Sequence, residues 1–135
     1  MQTKKYLGTV LLALMLLSSF AFVGSFYRQP TPTGSFSELT PEQERQLINS
    51  GKTIVFFNRP ANCTECQEVA NYLQELSIGY ADQIVLVEKD SDSVVILVKS
   101  AYGQKVLGLA TKQRITAVLC ELMVNPPATC VSGEL

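Results

Sequence analysis

The sequence predicts an α/β domain behind an apolar N-terminal segment, and three observations carry that prediction. Short apolar runs read as strands: residues 53–57, without polar alternation, as one covered on both faces, 84–87 as a second buried strand and 94–98 as a third strand. Apolar residues at three-and-four spacing read as helix faces: Val69, Ala70, Leu73 and Leu76, and later Ile115, Val118, Leu119, Leu122 and Met123. Finally, the apolar leader leaves about 100 residues, enough for one compact core. The composition, 47% apolar and 17% charged, is that of a folded chain.

Several function classes are excluded at once. Beyond Arg28 there are eight Lys and Arg against twelve Asp and Glu, a net of −4, with no basic cluster or stripe, so a nucleic-acid partner is not expected. The chain has no histidine. Imidazole acid–base catalysis, Cys–His dyads and His-bearing zinc sites are therefore all removed. No cofactor is called for, and chemistry, if present, must run on sulfur.

In chain order, Lys4 and Lys5 precede an uncharged stretch, residues 6–27, long enough to span a bilayer. It reads either as a signal anchor, with the lysines inside and the rest of the chain outside, or as a cleaved secretory signal with a core at 7–17 and a site near Ser19-Phe20-Ala21. The continuing run Phe22, Val23, Phe26, Tyr27 favours the anchor. The expectation is thus a single-pass protein of the cell membrane, held by its N-terminal helix (residues 1–27) with the domain on the extracytoplasmic side, or a secreted domain if the segment is cleaved. Residues 28–38, with Pro30, Pro32 and Gly34, read as a linker, and 39–135 as the domain.

Thr40-Pro41-Glu42-Gln43 is a helix start, with Thr40 as cap, Pro41 at the first helical position and Gln43 closing a capping box; Leu47 and Ile48 face inward, and Gly51 ends the helix. The strand at 53–57 follows. After the second helix stops near Ser77-Ile78-Gly79 come the strand at 84–87, a charged loop at 88–93, and strands at 94–98 and 105–109 joined by a turn. Thr111 caps the last helix, and Asn125-Pro126-Pro127 ends it.

The chemistry concentrates where the first of these strands hands over to a helix, at Phe57-Asn58-Arg59-Pro60-Ala61-Asn62-Cys63-Thr64-Glu65-Cys66. Asn62 is placed to cap the helix, with Glu65 completing an Asn-x-x-Glu box, which makes Cys63 the first helical residue. Backbone N–H groups and the positive end of the helix dipole would then favour its thiolate. Cys66, one turn on, is in reach to form a disulfide. Glu65 opposes the dipole's effect and Arg59 is expected to offset Glu65. A static staple or half a zinc site competes with this reading, but Cys120 and Cys130 are too far apart in sequence to supply a second zinc knuckle. In an exported chain Cys120 and Cys130 read instead as a structural disulfide, since the Pro-Pro turn can bring the tail against the last helix; the alternative is a relay pair feeding Cys63 and Cys66. No metal site is expected.

Strand, CxxC and helix in this order resemble the thioredoxin-like family, the likeness covering about residues 39–123. The resemblance implies a thioredoxin-like three-layer sandwich, with Cys63 as nucleophile and Cys66 as resolving cysteine in exchange with protein thiols and disulfides. Four departures stand out. The helix that crosses over between the second and third core strands is missing, since only residues 88–93 are available, so that the connection either passes over the sheet end in extended form or the flanking strands pair as a hairpin. The family's cis-proline position falls in Ser91-Asp92-Ser93; Phe57 stands where many members have a buried carboxylate; Asn62 replaces the aromatic residue before the first cysteine. These departures keep two other readings in play, a soft-metal (Cu or Zn) carrier on the same two thiolates and a non-catalytic interaction module.

Overall fold

A computed structural model describes residues 35–133 and 135. The apolar segment at 1–27 lies outside these residues, as does most of the linker; among the described residues no helix is long and apolar enough to cross a membrane. The elements in order are β1 (Ser35–Phe36), α1 (Pro41–Asn49), β2 (Thr53–Arg59), α2 (Cys66–Gly79), β3 (Ile84–Asp90), β4 (Val95–Ser100), β5 (Gly103–Leu107) and α3 (Lys112–Leu122), followed by a 3₁₀ turn at Ala128–Ser132.

The five strands form one sheet in the order β1-β3-β2-β4-β5. β2 is central and pairs in parallel with β3 along its whole length, Thr53 with Ile84 through to Arg59 with Asp90. On its other side it pairs antiparallel with β4, Val55 opposite Val98 and Phe57 opposite Ile96. The alternation of a strand then sorts the apolar side chains into two cores. Val55, Phe57, Ile84, Leu86, Ile96 and Val98 face α2 and α3. Ile54, Val85 and Val87 face Leu47 and Ile48 of α1, with Phe36, Leu39 and Phe56 around them. The result is a three-layer α/β sandwich, with one helix on one face and two on the other.

The α1 start forms as its sequence dictates. Thr40 Oγ1 accepts from the Gln43 N–H (3.3 Å) and Gln43 Oε1 accepts from the Thr40 N–H (3.0 Å). Gly51, at φ 84°, takes the left-handed conformation that a side chain would resist. Two elements escape the sequence pattern. Ser35 and Phe36, inside the expected linker, pair in parallel with Leu86 and Val87. Glu88 to Asp90, expected as loop, continue β3 beyond its apolar part, because Phe57, Asn58 and Arg59 extend β2 beside them.

The connection between β3 and β4 takes the first of its two expected routes. The two strands do not pair; each lies on a different side of β2. Because β3 runs parallel to β2 and β4 antiparallel to it, the end of β3 and the start of β4 lie at the same end of the sheet. A dozen-residue crossover is needed only when the chain must return to the other end. Here residues 91–94 clear a single strand, a gap of about 10 Å that four extended residues span at about 3.3 Å each. The Ser91 N–H donates to the Arg59 carbonyl (3.0 Å), pinning the connection to the end of β2.

The largest fully buried side chain is Phe57. Phe57→Ala is expected to lower unfolding free energy by about 3–5 kcal/mol in urea titration, the cost of an unfilled core site.

Candidate active site at the end of the central strand

At the C-terminal end of β2 the chain leaves the sheet through Pro60, whose carbonyl accepts the Cys63 N–H (3.2 Å) and closes a tight turn. A second turn follows, with the Gln67 N–H donating to the Thr64 carbonyl (3.2 Å), and α2 proper begins only at Cys66. This corrects the expected helix start. Glu65, already helical at φ −67°, ψ −23°, occupies the cap position, and the helix has no side-chain cap. Asn62 lies exposed inside the Pro60 turn, and Cys63 precedes the helix by a full turn. The physical reason is the turn itself, which takes up the Cys63 N–H and holds the chain off the helical path until Thr64.

Cys63 and Cys66 are nevertheless joined. Their sulfurs are bonded, with the Cα atoms 5.3 Å apart. The bond joins the Cys63 sulfur to that of Cys66, the first residue of α2, while the Cys63 backbone stays outside the helix. The two sulfurs differ sharply in access. Cys66 is 0% exposed, packed in the cluster with Phe57, Val69 and Ala70, whereas Cys63 is half-buried at the margin of that cluster.

The remaining expected site residues scatter. Arg59, the last residue of β2, sets its guanidinium carbon 5.7 Å from the centre of the Phe57 ring and lines a polar groove with Ser37, Glu88, Lys89 and Asp90. It makes no ion pair with Glu65 among the described residues. Glu65 is exposed. Phe57, fully buried, fills the place of the family's carboxylate, and no carboxylate is buried among the described residues. None of their peptide bonds is cis.

Lys112, at the start of α3, was not singled out by its local sequence. Its Nζ lies 3.2 Å from Glu68 Oε1 in the first turn of α2 and 5.7 Å from the Tyr72 ring centre. Next to it the Tyr72 and Thr116 hydroxyls hydrogen-bond across the same helix pair. These contacts link residues 40 or more positions apart, so no local pattern could reveal them. Elsewhere, Cys120 of α3 is bonded to Cys130 of the 3₁₀ turn, Cα atoms 5.5 Å apart, which ties the tail back onto the helix.

The difference in access sets an expected outcome. Under mild reduction, Cys63 is alkylated by iodoacetamide well before Cys66, as peptide mass mapping would read, because only Cys63 presents surface to the reagent. Replacing both Cys120 and Cys130 by Ser is expected to cost about 2–3 kcal/mol in stability, through the closed loop it opens, measured by the same urea titration.

No protein-family model and no curated protein sequence matches the chain. Solved structures do. A redox protein from Chlamydomonas reinhardtii superposes with a TM-score of 0.57 at 21% identity over 70% of this chain; the match spans 37% of that protein's length. Thioredoxin O1 from Arabidopsis thaliana, in its oxidized state, superposes at 0.51 with 14% identity, covering 67% of this chain and 98% of its own. A Malassezia sympodialis thioredoxin does so at 0.50 with 11% identity, covering 67% and 90%. At such identities the likeness is one of architecture. The domain has a thioredoxin-like fold.

Proposed function

We propose that the protein is a thiol–disulfide oxidoreductase acting on protein thiols and disulfides, with Cys63 as nucleophile and Cys66 as resolving cysteine, and that its apolar N-terminal segment tethers it to the extracytoplasmic side of a membrane. The observation that carries the chemistry is the bond between Cys63 and Cys66 at the junction of β2 and α2, with one sulfur at the surface and its partner in the core. In the reduced protein, the Cys63 thiolate attacks one sulfur of a substrate disulfide and expels the other as a thiolate, leaving a mixed disulfide. The Cys66 sulfur then attacks that of Cys63, gives its proton to the departing substrate thiolate, and closes the ring. Two electrons pass from the dithiol to the substrate; run backwards, the same steps oxidise a substrate dithiol.

Burial explains the division of labour. A substrate sulfur must approach in line with the bond it breaks, and only Cys63 offers that path. Cys66 meets no substrate and is held where its one accessible target is the neighbouring sulfur. With Phe57 in place of a buried acid, no side chain beneath Cys66 takes its proton, so the proton leaves to solvent or to the substrate.

Two features support the proposed location. Lys4 and Lys5 ahead of the uncharged stretch at 6–27 fit an anchor with the domain outside. The second disulfide, Cys120–Cys130, fits a compartment in which such bonds persist.

Cys63→Ser is expected to abolish reduction of insulin disulfides in the presence of dithiothreitol. Cys66→Ser is expected instead to accumulate a mixed disulfide with the substrate, visible by mass spectrometry and released by reductant. Native-like turnover by Cys63→Ser would refute the assignment. Stoichiometric copper or zinc retained by the reduced protein through a chelator wash, with no turnover, would point to a metal carrier.

A further inference from the structure

An open groove of about 550 Å³ has Glu65, the residue just before Cys66, in its wall. One wall is the first turn of α2, with Glu65, Glu68 and Val69; the other is the segment from β5 into α3, with Leu109, Ala110 and Lys112. The charges along it are not balanced. Lys112 neutralises Glu68. Glu65, which lies between the two cysteines in the chain, is exposed and makes no ion pair among the described residues. Across from it Leu109, a large apolar side chain, is 48% exposed. The groove therefore offers one uncompensated carboxylate, at a position between the two cysteines in the chain, and a strip of apolar surface.

We propose that this groove selects polypeptide substrates carrying a lysine or arginine beside the reacting cysteine, with Glu65 as the specificity-determining residue. The inference rests on the exchange reaction proposed above and names its substrate class. Lysine and arginine suit both walls at once, because their long apolar stems cover surface such as Leu109 while the charged head reaches a carboxylate. The reaction sharpens the preference. Attack of a thiolate on a disulfide spreads one negative charge over three sulfurs, and Glu65 adds a second charge nearby. A cationic residue on the substrate relieves both, whereas an acidic one adds a third negative charge to the same small region. The effect is that of an exposed pair, so it is moderate in size and weakened by salt.

The test uses the full chain, reduced at Cys63 and Cys66, and three short peptides alike except for lysine, alanine or glutamate next to their single cysteine. Each cysteine is supplied as a mixed disulfide with neutral 2-thiopyridine. Cys63 attacks the peptide sulfur and releases thiopyridone, whose absorbance gives the rate; Cys66 then releases the peptide as a thiol and leaves the Cys63–Cys66 disulfide. The lysine peptide is expected to react about three- to tenfold faster than the glutamate peptide at low ionic strength, with the ratio falling as salt is added. Glu65→Gln should bring the two rates together, Glu65→Lys should invert their order, and Leu109→Ser should narrow the ratio. Equal rates for all three peptides in the native chain, abolished by Cys63→Ser, would overturn the selection and leave exchange standing. Thiopyridone release by Cys63→Ser as fast as by the native chain would remove the exchange reaction, and the selection with it.

Discussion

The geometry of the site depends on the complete burial of Cys66. Its side chain lies in the same apolar cluster as Phe57, Val69 and Ala70, so its position is set by packing from β2 and α2 together. A sulfur held this way fixes its bonded partner as well. Cys63 sits on an exposed turn, where the chain is ordinarily freest, yet it is tied through one covalent bond to a point that the core holds at close-packed density.

That arrangement needs β2 at the centre of the sheet. Flanked by β3 and β4 and covered by α1 on one side and α2 and α3 on the other, β2 has no freedom to slip in register without exposing one of its two apolar sets. Its C-terminal end is thus a rigid platform, closed over by the short connection at 91–94 that hangs from the Arg59 carbonyl. The missing crossover helix does not loosen this end. The antiparallel turn of β4 makes so short a path sufficient, and Val94 on that path packs into the cluster that Cys63 borders.

Two disulfides in one small domain are placed differently. Cys63–Cys66 joins a half-buried turn to the core at the start of a helix, with its cysteines three positions apart. Cys120–Cys130 spans ten residues and anchors the tail against α3, the helix whose N-terminal end supplies Lys112 to the groove that Glu65 lines. Lys112 to Glu68 and Tyr72 to Thr116 hold α3 against α2 in register near the site. The tail staple, the helix pair and the groove form one continuous piece of structure, and the charge asymmetry in the groove follows from which of its two glutamates α3 can reach.

Local chemistry was enough to specify the apolar strands β2, β3 and β4, the three helix faces, the Thr40 cap and the placing of the cysteine pair at a strand-to-helix junction, because periodicity, capping residues and β-branched runs act over a few neighbours. Ser35 and Phe36 carry no such signal; they become a strand only because the edge of β3 is open to them. Glu88 to Asp90 read as loop by composition and are held in strand geometry by the end of β2 alongside. Asn62 and Glu65 have the letters of a capping box, but Pro60 captures the Cys63 N–H first, a competition between two local turns that only the folded backbone resolves. The fate of Glu68, taken by Lys112, was decided by a neighbour distant in sequence. Short-range preferences thus placed the reactive sulfurs, and long-range packing decided which of them is accessible and which charges stand beside it.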